Sequence, residues 1–156
     1  MTTRLRPALE KDIASISALL TGSLPSLLPD PATPAAAAFV ASFTEAAVRE
    51  RLSSPRYTAV VAIRDDVLVG FASLRDGSHL FHLFVHRDHQ RQGIGRALWN
   101  AILASTPAAT ITVNASVNAI PTYRHLGFTA TAAIDDTTSP PYQPMRWQRH
   151  DGPDDG

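Results

Sequence analysis

The sequence has no cysteine, no excess of either charge and no long apolar run, and each lack removes a class of function. Without cysteine there is no disulfide scaffold, no thiolate metal site and no cysteine nucleophile. The 14 basic and 14 acidic residues give a formal charge of zero, which leaves no electrostatic footprint for a nucleic-acid backbone or an anionic membrane. No stretch approaches the roughly 20 apolar residues that cross a bilayer, and Met1-Thr2-Thr3-Arg4-Leu5-Arg6-Pro7 carries no apolar leader core. These features predict a soluble, cytoplasmic protein acting on a small molecule or peptide, with neither nucleic acid nor membrane as partner. A length of 156 residues, 44% of them hydrophobic, suits one domain with its own core.

Hydrophobic spacing divides the chain into alternating elements. A short strand is expected at Thr3 to Arg6, then a helix with Ile13, Ile16, Leu19 and Leu20 on one face and Asp12 as its cap. Residues 21–34 carry Pro25, Pro29, Pro31 and Pro34 and read as irregular. A second helix is expected from about Ala35 to Leu52, stopped by Pro55. Tyr57 to Ile63 and Val67 to Leu74 form a predicted hairpin around Arg64-Asp65-Asp66. His79 to Val85 is a strand, followed by a loop and a helix whose stripe is Ile94, Ala97, Leu98, Ala101 and Ile102. Thr110 to Val113 reads as a strand, Ala119 to Leu126 as a helix closed by Gly127, and the rest to Trp147 as two strands around a Pro-rich loop. The expected architecture is α/β (α+β), a mostly antiparallel mixed sheet flanked by helices, spanning residues 1–148 with a disordered tail at 149–156.

Gly93 and Gly95 stand where that strand-loop-helix turns into its helix, and the first backbone N–H groups of a helix have no partner within it. Such a turn binds anions: glycine lets the backbone approach, and Arg91 and Arg96 add charge beside the helix dipole. A triphosphate-binding loop is disfavoured because no Gly-Lys-Ser/Thr follows. A dinucleotide fingerprint is disfavoured because Leu98 holds the place of its third glycine.

Gln90-Arg91-Gln92-Gly93-Ile94-Gly95 resembles the Q/R-x-x-G-x-G/A motif of the GCN5-related N-acetyltransferase (GNAT) superfamily. The preceding Leu83-Phe84-Val85 resembles that family's fourth strand. Asn114-Ala115-Ser116 and Ile120-Pro121-x-Tyr123-x-x-Leu126-Gly127-Phe128 resemble its fifth strand and the helix after it. The likeness runs from about Leu5 to Trp147. It implies splayed parallel fourth and fifth strands with the pantetheine arm of acetyl-CoA between them. It further implies that Leu83, Phe84 and Val85 offer backbone groups to that arm, and that Arg91, Gln92, Gly93, Ile94, Gly95 and Arg96 wrap the pyrophosphate. Asn114 and Asn118 border the cofactor, each with a structural role open to it as well, Asn118 as a helix cap; Ser116 departs from the asparagine of some relatives. A homodimer is also within the family's range.

The resemblance implies transfer of an acetyl group to a primary amine of a small molecule or peptide by direct attack in a ternary complex. The alternative is an inactive acyl-CoA sensor or an interaction domain. Tyr123 corresponds to the tyrosine that protonates the departing thiolate, and the oxyanion would be held by a backbone N–H near Phe84 or Val85. The glutamate that some relatives use as base is replaced by Ile111. His82, on the opposite side of its strand from Leu83, is the candidate base, beside Asp76, Glu45 and a water chain. His79, His82, His86 and His89 would share one face of a helix, but the apolar residues between them favour a strand with His79 and His82 on opposite faces, so no metal is expected. Leu24, Leu27 and Leu28 suggest that the Pro-rich segment covers an acceptor with an apolar portion.

Overall fold

The computed structural model describes residues 2–150. Seven strands form one sheet in the order β1 (Thr3–Pro7), β2 (Tyr57–Arg64), β3 (Val67–Arg75), β4 (His79–Val85), β5 (Thr110–Ser116), β7 (Tyr142–Gln148) and β6 (Thr129–Ala130). All pairings are antiparallel except β4 with β5. The β2–β3 hairpin closes through Asp65 and Asp66, both at positive φ (53° and 65°), the paired left-handed geometry that matches the twist of a two-residue turn.

Two apolar clusters cover the two faces of the sheet. On one, α5 (Ile94–Ala104) buries Ile94, Leu98, Trp99 and Ile102 against β2, β3 and β4, and α6 (Ile120–Leu126) adds Ile120, Tyr123 and Leu126 over β5. Trp99 locks this layer, its ring 5.1 Å from Phe128 and 5.4 Å from Trp147. On the other, α1 (Ile13–Gly22) buries Ile13, Ile16, Leu19 and Leu20 beside Val61, Ile63 and Phe71. No helix among the described residues is long and apolar enough to cross a membrane.

Several local expectations change. Asp12 does not cap α1 through its side chain; its carboxylate accepts from Leu9 N–H at 2.8 Å and pairs with Arg6 at 2.7 and 3.0 Å, closing the 3-10 turn Glu10–Asp12. The Pro-rich segment is not wholly irregular, because Pro25 sits in the first turn of α2 (Leu24–Leu27), where no N–H is needed. The expected second helix is broken into α3 (Ala37–Ala41) and α4 (Glu45–Ser53), since Thr44 Oγ1 accepts from Ala47 N–H and starts a new helix. Arg149, expected in the tail, donates to the carbonyls of Leu103, Thr106 and Ala108 and stacks over Trp147. The remainder of the expected tail, residues 151–156, lies outside the described residues.

Candidate functional site

β4 and β5 pair only at His79 with Thr112 and Leu80 with Val113, then diverge. A groove of about 1230 Å³ opens from this divergence, its walls including Leu83, Val85, Asn114 and Tyr123. One observation orients the backbone of its β4 wall. His86 N–H donates to Val69 O at 2.8 Å, and Val85 stands opposite Gly70 and Phe84 opposite Phe71. Antiparallel alternation then commits the Phe84 backbone to β3 and leaves the N–H and C=O of Leu83 and Val85 aimed at the groove. Val85 O is already met by Gln90 Nε2 at 3.1 Å. The expected backbone contact from Phe84 is therefore not available, and its ring instead packs edge-on to Phe43 at 5.9 Å.

At one end of the groove the chain turns through Arg91 (φ 63°) and Gly93 (φ 83°), and Gly93 leads into α5. The N–H groups of Ile94, Gly95 and Arg96 precede the first intrahelical bond, which Ala97 N–H makes to Gly93 O at 3.0 Å. Arg91, Gly93, Gly95 and Arg96 line this end. Arg96 is also tied to α6 by a 3.1 Å bond to His125 O. Two residues of the motif face elsewhere: Ile94 is buried in the core, and Gln92 receives a hydrogen bond from Arg64. Neither offers a side chain to the groove.

Tyr123 lies on the α6 wall, buried and 5.5 Å from the Phe128 ring; burial pushes its phenol far up, so it stays protonated. Its hydroxyl forms no hydrogen bond among the described residues and is not sealed from solvent. His82 lines the groove from the opposite layer, among Phe43, Phe71 and Phe84. Its Nδ1 is 2.7 Å from Ser73 Oγ, while Nε2 has no protein partner among the described residues. Burial, with Arg51 adding to it, holds the imidazole well below its usual pKa, so it is neutral at neutral pH. His82 and Leu83 do face opposite layers. The expected opposition of His79 and His82 fails, because Phe81 is an extra residue in β4 and the bulge resets the alternation; both imidazoles flank the Phe81 ring, at 6.4 and 4.6 Å.

Neither acidic candidate is in the groove. Asp76 is held by Arg56 at 2.7 and 2.9 Å in the β3–β4 turn, and Glu45 is exposed at the start of α4. Asn114 lines the groove from β5. Asn118 caps no helix; its Nδ2 donates to Ser26 O at 2.7 Å and ties α2 across the groove mouth, a contact between residues 92 apart that no local signal announces. Of the three leucines, Leu24 and Leu28 are core and only Leu27 reaches the groove.

Residues 27–149 match the family described as the acetyltransferase (GNAT) domain. The chain belongs to the GNAT acetyltransferase family. No curated protein matches this GNAT chain. Among solved structures it is similar to a GCN5-related N-acetyltransferase from Rhodopseudomonas palustris, at 28% identity and TM-score 0.79 over 96% of this chain and 97% of that one. It is also similar to the PaiA N-acetyltransferase of Thermoplasma acidophilum in complex with coenzyme A, at 14% identity and TM-score 0.76 over 96% of this chain and 100% of that one. A third similar structure is an aminoglycoside 6'-N-acetyltransferase complexed with coenzyme A, at 17% identity and TM-score 0.71 over 97% and 99% of the two chains. The last two bear on the fold alone. The splayed β4 and β5 of this GNAT domain are thus the framework on which the groove is built.

Proposed function

We propose that the protein is an acetyl-CoA-dependent N-acetyltransferase acting on a primary amine in a ternary complex. The observation that carries the reading is the slot between β4 and β5, which has free backbone groups on one wall and a helix N-terminus at its end. These features fit a long amide-bearing arm attached to a pyrophosphate. The N–H groups of Ile94, Gly95 and Arg96, with the Arg91 and Arg96 guanidiniums, would hold the phosphates. Leu83 and Val85 would pair with the pantetheine amides, and Asn114 borders the arm. Asn118, which lines the groove, would border the arm while its Nδ2 ties α2 across the mouth.

Acetyl-CoA supplies an activated acetyl thioester. The acceptor nitrogen bonds to the acetyl carbon as the carbon–sulfur bond breaks, the nitrogen's proton leaves through a base, and the sulfur takes one from an acid. Tyr123 is the acid: burial keeps the proton on oxygen, and the thiolate that develops beside it, whose charge the same burial disfavours, takes that proton. An unpaired N–H of β4, at Leu83 or Val85, is the donor for negative charge on the acetyl oxygen. His82 is the candidate base: in the tautomer whose Nδ1–H donates to Ser73 Oγ, its neutral Nε2 accepts. The burial that keeps it neutral also makes it release the proton readily, so a water chain would complete the path.

The test is free-thiol release from acetyl-CoA on adding amines. Tyr123→Phe should slow release by about 10²-fold or more while coenzyme A affinity stays within a factor of three or so of the parent, since no hydroxyl bond to protein is lost. Equal rates in mutant and parent would remove Tyr123 from the mechanism. Tight coenzyme A binding with no release for any amine would favour the sensor reading.

A further inference from the structure

The slot opens onto both layers of the fold, and the two openings differ in chemistry. On the α5–α6 side stand the helix N-terminus, Arg91 and Arg96. On the α1–α4 side the lining is Leu27, Phe39, Phe43, Phe81 and Phe84, with His82 among them. These rings form a continuous wall: Phe39 lies 4.9 Å from Phe43, and Phe43 5.9 Å from Phe84. The polar groups here include His79, held at 2.8 Å by Thr112 Oγ1, and the hydroxyls of Ser23, Ser26 and Ser42, each donating to a backbone carbonyl of its own segment.

Charge decides which acceptors suit this wall. Among the described residues no aspartate or glutamate lines the groove on either side. The charges stacked on its rings are positive: the guanidiniums of Arg51 and Arg75 lie over Phe81 at 5.5 and 5.2 Å. Asp76 is pinned outside by Arg56, and Glu45 is exposed in the first turn of α4 and does not line the groove. A polycation needs carboxylates to replace the water it sheds, and this wall has none. A flat apolar body finds ring edges and faces to stack on.

We infer, resting on the acyl-transfer reading, that the acceptor is an arylalkylamine-type molecule: one primary amine on an apolar, aromatic body with no second positive charge. The amine enters with its ring against Phe39 and Phe43 and its nitrogen toward His82. Leu27, pinned over the mouth through the Asn118 bond to Ser26, closes on the apolar end.

The experiment compares kcat/KM with acetyl-CoA for 2-phenylethylamine, spermidine and a polyamino sugar. Phenylethylamine should lead by about ten-fold or more, the discrimination expected of an apolar pocket. Phe39→Ala should raise its KM by about ten-fold with little change in kcat or in coenzyme A affinity. Phe39→Leu, which keeps packing on Phe43, should recover part of that loss. Ser26→Asp, which places a carboxylate at the rim, should narrow the gap to spermidine by about five-fold. Spermidine or the amino sugar matching phenylethylamine would overturn the acceptor class and leave acyl transfer standing. Should no amine release thiol, acyl transfer itself fails. Calorimetry of phenylethylamine against the coenzyme A complex then decides the pocket alone, and the lack of any binding heat would overturn the inference.

Discussion

Gly93 and Gly95 belong to one motif, yet their alanine variants should move stability in opposite directions. Gly93 has φ 83°, and an added Cβ would meet no heavy atom within 4 Å. Any penalty there is backbone strain and nothing else, about 1–2 kcal/mol for an L-residue held left-handed. Gly95 lies in the first turn of α5, and its added Cβ would meet Val85 Cγ2 at 3.8 Å, an ordinary contact. Replacing a helical glycine by alanine at a compatible site stabilises by about 0.5–1 kcal/mol. For a domain of this size 1 kcal/mol shifts Tm by about 2–4 °C. Gly93→Ala should therefore melt about 2–8 °C lower and Gly95→Ala about 1–4 °C higher than the parent. Calorimetric melting reads both. Gly93→Ala should in addition weaken coenzyme A by about ten-fold, the loss of one charge-assisted bond as the strained turn swings the first N–H groups out of line. If both variants shift Tm the same way, or if Gly93→Ala leaves stability and affinity untouched, the account of the turn is wrong.

Further predictions rest on burial. His82 is neutral in the fold while an unfolded histidine takes a proton near pH 6.5, so below that pH the unfolded chain binds more protons and stability falls as pH drops. The loss should approach about 1.4 kcal/mol per pH unit, with His79, also lowered by burial, adding in the same direction; urea midpoints from pH 7 to 5 should show His82→Gln flattening the slope, and an unchanged slope would contradict the buried neutral imidazole. Gly70→Ala should destabilise by about 1–3 kcal/mol, because its Cβ would stand 2.9 Å from Leu98 Cδ1 with Ala62 and Ile94 at 3.3 Å. Arg149→Ala should cost about 1–3 kcal/mol, since its guanidinium meets the carbonyls of Leu103, Thr106 and Ala108; a melt identical to the parent would return Arg149 to the tail.

What the sequence revealed and what it hid follow from the range of the interactions. Ile94, Leu98 and Ile102 announce α5 because helical burial repeats within a few residues, and the glycines before them mark its start. The resemblance carried by Gln90 to Gly95 and by Tyr123 to Phe128 supplied the topology, including the parallel β4–β5 pair. Features set by a distant partner were not legible. The Phe81 bulge depends on how β4 meets β3, and it reverses the facing expected of His79. Asn118 reads as a cap because its partner, Ser26, lies in another part of the chain. Asp12 has the right spacing for a cap of α1 but is claimed by Arg6 from β1. Which β4 backbone groups are free could not be told until the register with β3 was known, and that register withdraws Phe84 and leaves Leu83 and Val85.

In the proposed function the β4–β5 slot and the α5 N-terminus together form a coenzyme A site. Amide chemical shifts recorded while coenzyme A is titrated into the protein test it most directly. The largest changes are expected at Leu83, Val85, Gly93, Gly95 and Arg96, with the β1–β2 edge of the sheet quiet. Saturating coenzyme A that leaves the amides of β4 and α5 unmoved, or moves only residues remote from them, would contradict it.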